Sequence, residues 1–254
     1  IAEFDAYGIM WYGHYVKWMR RRMKLAPGDT LLLNHMRFYV PLTWGGCAPQ
    51  IQATSIGDDR ILLRLWSKET LCCAALCTLV SQSAAERIEA NDCDDEHDMK
   101  LVRRLQSGQT QTTQKNIGRF VTCFTLFDRN EATMLDLFEQ ARTRFVGGQN
   151  ALRALREEHN GAIVVVQIDH VTLRQTNAAR VEESATNIVK VTTTCKHVNW
   201  TLFYFNQQLH TPTDTQSIGS MHCALVYAVA GRPKPLPETI RTHILSSLAN
   251  INRN

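Results

Sequence analysis

One order of parts occurs twice along the chain, and that repetition limits the fold more than any other feature. A strand-like stretch ends in Phe-Asp (Phe4-Asp5, then Phe127-Asp128). An amphipathic helix follows, and then several strands joined by short turns. A repeat of this length makes each copy one supersecondary unit, to be read as such before its parts are read singly. The boundaries fall at residues 1–82 for the first unit and 118–254 for a second, degenerate unit with a C-terminal tail. Residues 83–117 join them.

The pattern predicts a helix over 9–24 in the first unit, then strands near 36–40, 48–55, 60–67 and 71–81. Gly57-Asp58-Asp59 reads as a hairpin turn. In the second unit a helix starts at Glu131, with Met134, Leu135, Leu137, Phe138 and Ala141 at near-helical spacing. A further helical piece covers 151–159, and strands are expected near 162–173, 180–194, 198–208 and 218–230. Consecutive strands with short turns pair antiparallel, so each unit is an α+β layer: one helix wrapped by one curved sheet. A unit alone has a small core and an open sheet edge, so pairing of the two has a physical motive.

The joining segment carries an acidic cluster (Asp92, Asp94, Asp95, Glu96, Asp98) and the polar run SGQTQTTQ. Cys93 and His97 lie in it as potential metal ligands, but no ordered ligand spacing surrounds them. A solvated linker is the expectation, and no metal site is assigned. Gly45-Gly46 and Gly147-Gly148 read as turns. The tail is Pro-rich and then helical from Glu238.

Of the 254 residues, 44% are hydrophobic and 20% charged. That composition excludes a disordered chain. No stretch of about 18 apolar residues offers a membrane-spanning helix. The opening IAEFDAYG has no basic start with an apolar run, so it is not a secretory signal; it reads as the end of a strand, and the true start is expected upstream. Eight cysteines, three of them in the apolar run CCAALC and none in a C-x-x-C pair, point to buried thiols in a reducing compartment. The expected location is intracellular, mitochondrial or cytoplasmic. A formal charge of +4 suits acyl-CoA, RNA or acidic proteins and does not choose among them.

Residues 3–19, EFDAYGIMWYGHYVKWM, are the informative segment. Asp5, Gly8, Ile9, Met10, Trp11, Tyr12, His14, Tyr15, Trp18 and Met19 stand in a spacing that resembles the hotdog-fold acyl-CoA thioesterases, most closely the 4-hydroxybenzoyl-CoA thioesterase type. The tail over 233–241, with Pro235 and Pro237 before an acidic helix start, is similar to that family's ending. The resemblance implies a tandem double hotdog that needs no cofactor beyond its coenzyme A thioester substrate. It places a catalytic carboxylate at Asp5 and a polarising backbone N–H at Tyr12, with a site between paired units.

Physical chemistry agrees with those roles. Thioester hydrolysis needs a base or nucleophile near the carbonyl carbon and donors at the oxygen where charge develops. Gly8 permits a tight turn and close approach by a substrate. The N–H groups up to Tyr12 lie in a first helical turn without intrahelical partners and can hold an oxyanion. Asp5 either attacks directly or activates water; as an alternative it is only a helix N-cap. Trp11 and Tyr15 line an acyl pocket or belong to the core stripe. His14 braces the loop or serves as a base. Arg20 and Arg21, in a basic run with Arg22 and Lys24, contact phosphates of coenzyme A or RNA, or form a solvated helix end.

Departures matter as well. Arg20 stands where the family commonly has an acidic residue, which argues against a phenolic substrate. The second unit keeps Asp128 and the phrase Phe138-Glu139-Gln140-Ala141-Arg142 but lacks the glycine and the aromatic run. Asp128 is thus a poor catalytic candidate, while Glu139 can reach a shared interface as a substrate-binding residue. No G-x-S-x-G elbow, P-loop or dinucleotide fingerprint is present. The rival reading is a catalytically lapsed scaffold in a large protein or RNA–protein assembly, with homo-oligomerisation open in either case. A third is a sensor that binds acyl-CoA without cleaving it.

Overall fold

A computed structural model describes residues 12–23, 31–40, 49–57, 59–79, 91–92, 96–107, 114–125, 131–173, 188–211 and 217–251. The chain divides into two compact units. Unit 1 holds residues 1–110 and 166–171, and unit 2 holds 111–165 and 172–254. The division exchanges one short stretch that the sequence pattern left in the second repeat.

Unit 1 starts with helix α1 (Tyr12–Arg22) and continues with strands β1 (Leu31–Phe38), β2 (Gln50–Ser55), β3 (Arg60–Ser67), β4 (Thr70–Leu79) and β5 (Asn91–Asp92), then helix α2 (Glu96–Gln106). The strand order is β5-β2-β3-β4-β1, and residues 166–171 of β7 (Gly161–Leu173) lie next to β1. All these pairs are antiparallel except the short parallel bridge between β2 and β5. The hairpin expected at 57–59 joins β2 to β3, with Gly57 at φ 108°, a left-handed value suited to glycine.

β4 explains its own unalternating sequence. Cys72, Cys73, Ala74, Ala75, Leu76 and Cys77 are all buried, so both faces of this strand are covered. One face belongs to α1. Phe38 pairs with Cys73, and its ring meets Tyr15 edge-on at 5.1 Å. The other face belongs to α2, whose Leu101, Val102 and Leu105 pack with Ile56, Leu62, Ala74 and Leu76.

Helix α2 corrects the expectation of a solvated linker. Asp98, Leu101, Val102 and Leu105 recur at helical spacing and are all buried. Asp98 occupies a position on that stripe because β3 supplies a partner: Arg64 Nη1 donates to Asp98 Oδ1, and Arg64 Nη2 donates to Thr54 Oγ1 at 2.9 Å. The rest of the acidic cluster behaves differently. Glu96 is exposed and pairs with Lys100 at 2.9 Å. Cys93 lies outside the described residues, and His97 is exposed.

Unit 2 contains β6 (Lys115–Thr125), α3 (Glu131–Phe145), α4 (Gly148–Glu157), the remainder of β7, β8 (Ile188–Val198), β9 (Leu202–His210), β10 (Ser217–Val229), β11 (Arg232–Pro233) and α5 (Glu238–Ile251). Its strands run β10-β9-β8-β6, antiparallel throughout, with β11 on β10. Burial alternates strictly along β8, β9 and the second half of β6 (119–125), as in a sheet covered on one face. Phe120, Phe124, Val189, Val191, Phe203, Phe205 and Leu209 are buried on the sheet, as are Met134, Leu135, Phe138, Ala141 and Phe145 on α3. Phe145 touches Phe120 (5.0 Å between ring centres) and Phe205 (5.6 Å). The fold is therefore α+β, with helices laid on antiparallel sheet. Helix α3, expected to reach Ala141 or beyond, ends at Phe145, and of the strand expected over 180–194 the residues before Ile188 lie outside the described residues.

Candidate active site

The expected catalytic segment is described only in part. Asp5, Gly8 and Trp11 lie outside the described residues. Tyr12 is the first described residue of α1. His14 is half-buried. Tyr15 is 1% exposed and sits in the core against Phe38. Arg20 belongs to α1, its side chain outside the described residues, and Arg21 is exposed in the last turn. Arg22 Nε donates to the Ile51 carbonyl at 3.3 Å, which ties the basic end of α1 to β2.

Glu139 is in α3 of unit 2, half-buried, with carboxylate oxygen Oε2 fully enclosed. One turn on, Arg142 is 4% exposed, an unusual place for a guanidinium. A polar network accommodates it. Arg142 Nη1 donates to Gln207 Oε1 and approaches Met221 Sδ at 3.7 Å. Gln207 Nε2 donates in turn to the Phe138 carbonyl (2.9 Å) and to Thr193 Oγ1 (3.2 Å). Sequence reading singled out the phrase containing Arg142 and missed its partner. The signal was present: Gln207 is in the inward phase of β9, between Phe205 and Leu209.

A second polar constellation, wholly within unit 1, was also missed. A cleft of about 320 Å³ is lined by Asn34, His35, Arg60, Leu76, Gln106, Asp169 and His170. A β-bulge makes it. The β1–β4 ladder pairs Leu33 with Cys77 and His35 with Leu76, leaving Asn34 as the extra residue. A bulge re-aims side chains; here Asn34 and His35 both serve the α2 face, where Asn34 Nδ2 donates to Thr78 Oγ1 at 2.7 Å. On the other side, β1 pairs Leu33 with Val171 and Met36 with Ile168, and the same register sets His35 opposite Asp169 and Asn34 opposite His170. His35 Nδ1 is 4.0 Å from Asp169 Oδ1. Burial pushes the His35 pKa down, and the Asp169 carboxylate offsets part of that effect. The sequence signal is weak: two adjacent polar residues interrupt an apolar strand in each case, Asn34-His35 and Asp169-His170.

The thiols offer no nucleophile in the core. Burial pushes Cys73 and Cys195 well up from the ordinary thiol range, so both stay protonated. Among the described residues, no cluster of three or more His, Cys, Asp or Glu side chains could hold a metal ion. Nor is any helix there long and apolar enough to cross a membrane.

Known proteins resemble this architecture. The 12:0-ACP thioesterase from Umbellularia californica superposes with a TM-score of 0.52 at 10% identity, covering 92% of this chain and 91% of that one. The dehydratase domain from the CurJ module of curacin polyketide synthase gives a TM-score of 0.52 at 13% identity, over 90% and 87% of the two chains. At such identities the likeness shows the fold alone, of the hotdog type. No curated protein sequence matches. The family model of the thioesterase-like superfamily matches residues 88–244, more than half of the chain. Those residues include α2, α3 and the unit 2 sheet, and exclude the segment 3–19 that carries the sequence resemblance. By that match the chain belongs to the thioesterase-like superfamily.

Proposed function

We propose that the chain is an acyl-CoA thioester hydrolase built from two tandem hotdog units, with its competent site at the N-terminus of α1. The observation that carries this reading is a conjunction. The chain belongs to a thioesterase superfamily, and Asp5, Gly8 and Tyr12 stand in the register of a thioesterase motif where α1 begins.

The chemistry follows from those groups. Asp5 either deprotonates a water that attacks the thioester carbonyl carbon or attacks that carbon itself. The carbonyl oxygen takes up the electron pair and is held by the N–H of Tyr12, aided by the positive end of the helix dipole. Collapse of the tetrahedral species expels the coenzyme A thiolate. In the direct route, water then hydrolyses the acyl-aspartyl anhydride. His14 braces the loop. Arg20 and Arg21 attract the phosphates of the substrate, and Glu139 is assigned a substrate-binding role. Trp11 borders the acyl group, whereas Tyr15 supports it from the core. Descent from the 4-hydroxybenzoyl-CoA type, an intracellular location and a homo-oligomeric state belong to the same proposal.

Hydrolysis of short, long and aromatic acyl-CoAs by the purified chain, with Asp5→Asn alongside, tests it. Turnover that falls in the variant by about two to four powers of ten supports the mechanism. Wild-type rates in the variant exclude Asp5. A folded protein with no turnover on any acyl-CoA favours the scaffold, a lapsed enzyme retained in a larger assembly.

A further inference from the structure

The mechanism proposed above uses none of the residues of the unit 1 cleft, and the cleft is not built for an acyl chain. Among the described residues that line it, Leu76 is the only apolar one. The remaining six are polar, and they come from four elements: Asn34 and His35 from β1, Arg60 from β3, Gln106 from the end of α2, and Asp169 and His170 from β7.

The balance of donors and acceptors there is uneven. Among the described residues, Arg60 has no ion-pair partner. Among the described residues His35 Nδ1, a buried atom, has no hydrogen-bond partner, and at 4.0 Å the Asp169 oxygen is beyond hydrogen-bond reach. A buried orphaned nitrogen is costly and calls for an explanation. The one carboxylate among the described lining residues is partly occupied already: Gln167 Nε2 donates to Asp169 Oδ1. Arg60, the Gln106 amide and, in the tautomer that carries its proton there, His35 Nδ1 can all donate into the cleft, as an oxyanion site requires. A residual acceptor beside such donors suits an anion that also carries a hydroxyl. A sulfate or carboxylate lacks that hydroxyl; a phosphate monoanion has it.

We propose that this cleft binds the phosphate group of a small polar ligand, with Arg60 as its counter-ion, His35 and Gln106 as donors, and Asp169 accepting from the P–OH. The β-bulge at Asn34 is the device that delivers His35 to the site, in keeping with the frequency of bulges beside functional sites. The charged and titratable groups around His35 are Arg37 on its own strand, Asp169 and His170 on β7, and Arg60 on β3; α2 offers the uncharged Gln106. A bound phosphate adds negative charge to that set and raises the His35 pKa from its lowered value.

The test is an NMR titration of the histidine ring signals of the whole chain with inorganic phosphate, at constant ionic strength, the signals being assigned with His35→Gln and His170→Gln. Saturable shifts of both rings, a His35 pKa that moves up, and a midpoint at least about tenfold weaker in Arg60→Gln are expected, since a charge-assisted bond is lost. Arg60 is exposed, so the variant should keep the parent's thermal midpoint, which is checked in parallel. Repetition with methyl phosphate separates the sources: tighter binding of the ester points to a phosphorylated metabolite, and preference for inorganic phosphate points to the free ion. Shifts no different from those caused by sodium chloride, or undiminished saturation in Arg60→Gln, overturn the proposal. Asp5→Asn should bind phosphate as the parent does, so failure of the hydrolase reading and failure of this one are told apart.

Discussion

Asp98 of α2 accepts a hydrogen bond from Arg64 of β3, and the two side chains are only 5% and 15% exposed. This pair anchors a helix that the local sequence presents as part of an acidic linker. Removing one partner leaves the other charge buried without compensation, which typically costs about 3–5 kcal/mol. Asp98→Ala should therefore lower the unfolding free energy by roughly 3 kcal/mol in chemical denaturation. Replacing both partners by leucine should restore most of the loss, because an apolar pair carries no desolvation penalty. A stability unchanged in Asp98→Ala would show that α2 is held by Leu101, Val102 and Leu105 alone.

Gln207 is fully buried and makes three connections, to Arg142, Phe138 and Thr193. Gln207→Leu keeps the volume and removes all three. Loss of the acceptor on a buried guanidinium and of the donor on a buried carbonyl should cost about 2–4 kcal/mol, read from the denaturant midpoint. Met in place of Arg142 in the same background should recover part of it. A neutral single variant would mean that other groups satisfy Arg142.

The His35 environment makes stability depend on pH in a stated direction. Its pKa is lowered in the folded chain from an ordinary 6.5, mainly by burial. Above that ordinary value both states carry a neutral ring and the folded state keeps its full stability. As pH falls below it, the unfolded chain takes up the proton first, so stability declines until the folded ring protonates too. His35→Gln should flatten this part of the profile, measured as thermal midpoint against pH between about 7 and 5. An unchanged slope would place the proton uptake elsewhere.

Gly147 separates α3 from α4 at φ 106°, a left-handed value. A Cβ there would lie 2.8 Å from His243 Cδ2 and 2.9 Å from the Ala151 Cβ. Gly147→Ala should thus destabilise by about 1–3 kcal/mol through backbone strain and contact together. The neighbouring Gly148 has a positive φ but open space, so Gly148→Ala should cost less. Equal midpoints for the two variants would show that contact with His243 contributes nothing.

Much of the fold was legible along the chain because it is written in local periodicity. Residues 60–67 and 131–141 carry their strand and helix signals in their own side chains, and both form where expected. The helix over 96–106 was not legible in the same way. Its stripe includes an aspartate, and only β3 supplies the arginine that makes burial of that aspartate tolerable. The exchange of 166–171 into unit 1 has the same origin: a strand's sequence states which face is apolar and not which neighbour it will pair with.

The candidate sites divide along the same line. Asp5, Gly8 and Tyr12 form a pattern contiguous in sequence, and the sequence by itself determined that this segment reads as a thioester site. It also determined the α+β class. The pairing of His35 with Asp169, 134 positions apart, and of Arg142 with Gln207, 65 apart, was decided only by the tertiary structure. Polar groups so distant carry no mutual signal along the chain. Their proximity is fixed by strand register and by one β-bulge, which are settled when the sheet forms.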